Sequence, residues 1–120
     1  MTKIVERKDV RYYESADGFC PYAVWRSQLD VQTQAVMAAR ISRLETGNPG
    51  QVETVGAGVN ELKIDFGPGF RIYFGNADGR LIIILAGGTK RRQSRDVAEA
   101  RANWKDWKAK NMKNTPNSSG

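Results

Sequence analysis

The stretch ELKIDFGPGFRIYFG, residues 61–75, constrains the fold more than any other part of the chain. Leu62, Ile64 and Phe66 alternate with polar residues before Gly67-Pro68-Gly69, and Phe70, Ile72 and Phe74 resume the alternation after it. Successive side chains of a strand point to opposite sides, so a period of two over this length predicts paired strands with one apolar face. Glycines reach positive φ and proline sets one corner, so the tripeptide reads as the turn of a hairpin. Symmetric pairing about it would set Phe66 opposite Phe70, Asp65 opposite Arg71, Ile64 opposite Ile72 and Lys63 opposite Tyr73. The other face then presents Lys63, Asp65, Arg71 and Tyr73 together. Either it meets water, with Asp65 and Arg71 as an exposed ion pair contributing roughly 0–1 kcal/mol, or it meets a ligand.

The remaining elements follow from periodicity and punctuation. Arg80 to Ala86 is apolar without alternation, the pattern of a strand covered on both faces, with Gly87-Gly88 as its end. Lys3 to Glu14 reads as an N-terminal strand and Ser15 to Gly18 as a turn. Pro21 suits the first turn of a short helix, Tyr22 to Leu29. Asp30 is placed to cap a second helix, Val31 to Thr46, with a buried stripe of Gln34, Met37, Ala38, Ile41 and Leu44. Gly56 and Gly58 make residues 52–59 a loop or a short edge strand. From Arg91 to Lys110 the chain reads as helix, with Val97, Ala100, Trp104 and Trp107 on one side, a spacing that favours core packing for the tryptophans over base stacking. The expected fold is α+β: a small, mainly antiparallel twisted sheet with an N-terminal helical pair and a C-terminal helix packed on it. Residues 1–113 form a single domain in this reading, and the Asn/Ser-rich 114–120 a disordered tail.

Charge is unevenly placed. The formal net charge of +6 lies wholly within residues 90–113, while residues 1–89 balance to zero. A field so localised suits an anionic partner, nucleic acid or an acidic protein; a solvated basic helix would also produce it. The longest apolar run, Leu81 to Ala86, is far short of the roughly 20 residues that cross a bilayer, and the N-terminus lacks a secretory signal's apolar stretch. Cys20 is the single cysteine and histidine is absent, so an internal disulfide and the usual zinc ligand sets are excluded, a reducing cytoplasm is the simplest setting, and neither metal nor cofactor is expected. Gly87-Gly88-Thr89-Lys90 lacks phosphate-loop spacing. The exit of the apolar strand delivers Lys90, Arg91 and Arg92 to one end of the sheet. On the open face, these with Lys63, Arg71 and Tyr73 would line a concave basic surface suited to a phosphodiester backbone, Tyr73 supplying stacking or a hydrogen bond.

The segments ELKIDFGPGFRIYFG and LIIILAGGTKRRQSRDVAEARANW together resemble the HigB-type, phage Gp49-like branch of the RelE/ParE toxin superfamily. The matching positions are Glu61, Leu62, Ile64, Asp65, Gly67 to Gly69, Arg71, Tyr73, Phe74, Gly87, Gly88, Lys90, Gln93, Asp96 and Ala100, and the likeness spans roughly residues 3 to 110. The resemblance implies a toxin of a type II toxin–antitoxin pair, with an antitoxin partner that is often a helix-turn-helix protein. It also implies metal-independent cleavage of mRNA on the ribosome. The same scaffold hosts ParE-like inhibitors of DNA gyrase and could host a degenerate module that only binds an antitoxin. Cleavage by 2′-OH attack needs a base, an acid for the 5′-oxygen and cations for the developing charge. By resemblance Arg71 would clamp the scissile phosphate, with Lys63, Lys90 and Tyr73 as the other catalytic candidates. Lys90, Arg91, Arg92 and Arg95 would form the nucleic-acid-binding segment. Residues 97–113 hold neither the tyrosine nor the histidine that such nucleases often carry there.

Overall fold

In a computed structural model, which describes residues 7–112, the elements run β1 (Asp9–Tyr12), α1 (Pro21–Ser27), α2 (Val31–Glu45), β2 (Val52–Thr54), β3 (Val59–Ile64), β4 (Phe70–Asn76), β5 (Leu81–Thr89), a 3₁₀ turn (Lys90–Arg92) and α3 (Gln93–Asn111). The five strands form one sheet in the order β1-β5-β4-β3-β2, antiparallel throughout except for the parallel β1–β5 pair. The expected α+β class is the observed one. The first residues of the expected N-terminal strand and the 114–120 tail lie outside the described residues.

Local chemistry sets the helix ends. Pro21 opens α1, where its missing N–H leaves no bond unmade. The Asp30 carboxylate accepts from the Thr33 N–H at 2.7 Å and caps α2. Met37, Ile41 and Leu44 are buried as the spacing predicts, but the stripe runs back four residues to Thr33; Gln34 is only half-buried and Ala38 faces solvent. Arg40 is drawn in beside that stripe because its guanidinium donates to the carbonyls of Pro49 and Lys63.

Both faces of the sheet are covered. On one, Leu62, Ile64, Phe70, Ile72, Phe74, Ile82 and Ile84 pack against Tyr22 of α1 and Met37, Ile41 and Leu44 of α2. On the other, Val59, Tyr73, Ile83 and Leu85 pack against Ala100 and Trp104 of α3. Burying each such side chain fully is favourable by about 1.5–3 kcal/mol. The polar side of the hairpin therefore does not stand open as expected, because α3 lies on it. The β4–β5 register skips Leu85, so Leu85 and Ala86 both turn toward the α3 side.

Two further expectations are corrected. The hairpin pairs Ile64 with Phe70, Lys63 with Arg71, Leu62 with Ile72 and Glu61 with Tyr73, two residues out of the symmetric register. The turn is longer than Gly-Pro-Gly: the Phe66 and Gly69 N–H groups donate to the carbonyls of Ile64 and Phe66, so pairing stops at Ile64 and resumes at Phe70. A two-residue shift preserves the faces, which is why the apolar set still falls together. Second, β5 does not end at Gly87-Gly88 but runs through to Thr89. A Cβ on Gly87 would collide with the Trp25 ring, and one on Gly88 with the Asp96 carboxylate. These glycines are seats for side chains from the two helical layers.

Candidate functional site

At the tip of the hairpin, Lys63, Asp65, Arg71 and Lys90 line a single cavity of about 300 Å³, walled by Gly67-Pro68-Gly69. Three segments of the chain deliver them. Lys63 lies one residue before the end of β3, Arg71 is the second residue of β4, and β5 hands the chain directly to Lys90. The Lys90 N–H donates to the Gly69 carbonyl at 3.1 Å, tying the start of the 3₁₀ turn to the hairpin tip. Gly69 takes a φ of 93°, and a Cβ there would lie 3.5 Å from Lys90 Cβ and 3.9 Å from Arg71 Nη1. The positive φ calls for glycine, while a Cβ there would make only ordinary contact with the two cations.

Arg71 is nearly buried, its side chain 10% exposed. Nη1 donates to the Phe70 carbonyl at 3.1 Å, and Nε lies 3.6 Å from Glu61 Oε1. Glu61 is wholly buried, and its Oε2 accepts from Gln93 Nε2 of α3 at 2.7 Å. The pairing expected between Arg71 and Asp65 is thus replaced by one with Glu61, a consequence of the register. Asp65 is left exposed on the cavity wall. Lys63 pairs with Glu53 of β2 at 2.9 Å.

Tyr73 is fully buried under α3 and does not line the cavity, so stacking on a base is not open to it. Burial, and then the neighbouring Glu61 carboxylate, push its phenol well above the ordinary tyrosine range. Asp96 of α3 is buried against Gly88; burial pushes its carboxyl up, while the nearby Arg92 guanidinium pulls it back. Arg91, Arg92 and Arg95 are exposed and do not line the cavity. Of the seven candidate residues, Lys63, Arg71 and Lys90 converge, and Tyr73, Arg91, Arg92 and Arg95 do not.

Sequence reasoning assigned no role to the groups behind the cavity, Glu61, Gln93 and Asp96. A signal for two of them existed: Gln93, Asp96, Ala100 and Trp104 recur at three- and four-residue spacing, so the stripe that faces the sheet extends into polar residues. Glu61 had no such signal, since alternation alone places it on the polar side.

No helix among the described residues is long and apolar enough to cross a membrane. An uncharacterized protein of Haemophilus influenzae is 42% identical over 78 residues, covering 64% of this chain and 79% of that one. No solved structure matches the chain. The model of the family described as phage-derived protein Gp49-like (DUF891) matches residues 25–105, a span that holds α2, strands β2 to β5, most of α3, every cavity cation and the Glu61–Gln93 contact, and the chain belongs to that family.

Proposed function

We propose that this protein is the toxin of a type II toxin–antitoxin pair, of the HigB-type branch of the RelE/ParE superfamily, and that it cleaves mRNA on the ribosome without a metal. The observation that carries the reading is the convergence of Lys63, Arg71 and Lys90, from three separate segments, on one small polar cavity. A phosphodiester seated there meets three positive charges, and the charge that develops on its oxygens as the 2′-oxygen bonds to phosphorus is met by fixed donors. The P–O5′ bond breaks, leaving a 2′,3′-cyclic phosphate and a 5′-hydroxyl. The 2′-OH proton passes to a base and another is supplied to the 5′-oxygen. With no histidine in the chain, the groups at hand for that work are Lys63, Lys90 and Asp65, the one carboxylate on the cavity wall. Lys63, held by Glu53, serves as a charge. A helix-turn-helix antitoxin is the proposed partner.

The test is to incubate purified protein with ribosomes programmed with mRNA and to map the ends. Expected are 5′-hydroxyl products, none from mRNA with a 2′-deoxy residue at the cleavage position, and a loss of about a hundredfold or more in Lys90→Ala and Arg71→Lys together. Intact mRNA under conditions where the protein arrests growth overturns the reading. The burial of Tyr73, which removes the aromatic group from the cavity, favours a second reading: a non-enzymatic, ParE-like inhibitor of gyrase. Pulse labelling after induction separates the two, an early stop in protein synthesis supporting the nuclease and an early stop in DNA synthesis the gyrase inhibitor.

A further inference from the structure

A carboxylate with no solvent contact and a single cationic partner is an unusual thing to place behind a cavity built of positive charge. Glu61 is 0% exposed, and its Oε1 faces Arg71 Nε at 3.6 Å without a hydrogen bond. Its Oε2 is fixed by Gln93, the first residue of α3. Taking charged groups out of water is costly even when they are paired, and exchanging a buried ion pair for apolar side chains is often neutral or stabilising. For fold alone the pair is dispensable; for holding a guanidinium in one orientation it is well suited. The arginine's Nε and Nη1 are engaged from behind, by Glu61 and the Phe70 carbonyl, while the same side chain lines the cavity.

We propose that Glu61 is the positioning residue for Arg71, and that Gln93 in turn fixes Glu61, so that the first turn of α3 sets the aim of the cavity's central cation. The proposal deepens the nuclease reading and rests on it for its kinetic consequence. Glu61 does not reach substrate. It acts by removing rotamer freedom from Arg71, so that the guanidinium does not have to reorganise when phosphate charge develops.

A cycle of Glu61→Gln, Arg71→Gln and the double variant tests it, with Gln93→Ala as a milder probe that leaves the ion pair in place. Two readouts are taken: single-turnover cleavage of ribosome-bound mRNA, and the Nε–H resonance of Arg71 by NMR on the full chain. Expected for Glu61→Gln is about a tenfold or greater loss of cleavage rate with ribosome affinity unchanged, a moved and more mobile Arg71 resonance, and a double variant no slower than Arg71→Gln. Gln93→Ala should shift the same resonance less. Losses that multiply in the double variant, or an Arg71 resonance unmoved in Glu61→Gln, overturn the proposal. If the wild-type protein does not cleave, the nuclease reading fails, and the positioning role is decided by the resonance alone, unmoved overturning it and displaced upholding it. Where Glu61→Gln does not fold, Gln93→Ala, which keeps both buried charges, decides the matter: an unmoved Arg71 resonance overturns the proposal and a displaced one upholds it.

Discussion

At Arg71 two demands meet in one side chain: it lines the basic cavity and it neutralises a carboxylate sealed under α3. Truncating it therefore costs fold, and under the proposed nuclease reading activity as well. Arg71→Ala should lower the free energy of unfolding by about 3–5 kcal/mol, the usual penalty for stranding one member of a buried pair. Lys90→Ala, at an exposed position, should stay within about 0.5 kcal/mol of wild type. Urea unfolding of the two variants measures the contrast, and equal losses would contradict the pairing. Gly88 makes a second residue-scale case, since a methyl group there meets the Asp96 carboxylate. Gly88→Ala should destabilise by about 1–3 kcal/mol, read as a lower urea midpoint at unchanged slope. The contrast also marks a limit of reading strands from alternation. Glu61 and Lys63 occupy equivalent places in the pattern, yet one is sealed and the other half-exposed. What separates them is where α3 lies, and a period of two carries no information about a helix thirty residues away.

At the level of elements, α3 depends on glycines in β4 and in the turn before β3. A Cβ on Gly75 would lie 2.7 Å from three atoms of the Trp104 ring, and one on Gly58 would lie 2.8 Å from its Nε1. The indole fills the space those residues leave. Trp104→Ala should destabilise by about 3–5 kcal/mol and loosen the seat of Gln93 with it; hydrogen exchange should show α3 losing protection before β4 and β5. Equal protection along α3 and the sheet would argue against that order. Element identity was legible: the Asp30 cap, the Pro21 start, the apolar run of β5 and the Trp104 stripe each follow from one local rule. Register and strand ends were not. Gly87-Gly88 reads as a stop because glycine weakens strands, and only the ring and carboxylate packed over them show why glycine is required in mid-strand.

Across the whole molecule, three phenols are held from ionising. Burial together with the Asp106 hydrogen bond pushes Tyr13 up to about 12, and burial raises Tyr22 and Tyr73 further. The unfolded chain releases these protons near pH 10. Between pH 10 and 12 the folded state therefore binds more protons than the unfolded one, and stability falls as pH rises. Denaturant unfolding followed across that window, with absorbance at 295 nm, should show the decline, and Tyr13→Phe should make it shallower. The excess positive charge of residues 90–113 gives a second whole-molecule expectation. Affinity for single-stranded RNA should weaken with salt, and Lys90→Ala should reduce the log–log slope by about 0.7. An unchanged slope would remove Lys90 from phosphate contact.

The bond from Lys90 to Gly69 has a consequence for the order of biosynthesis. A nascent chain that stops short of β5 carries Lys63 and Arg71 but has no strand to pin the hairpin tip and no third cation. It also lacks Gln93 to hold Glu61. The cavity is complete only once synthesis has passed Lys90, and the carboxylate behind it is held only once synthesis has passed Gln93.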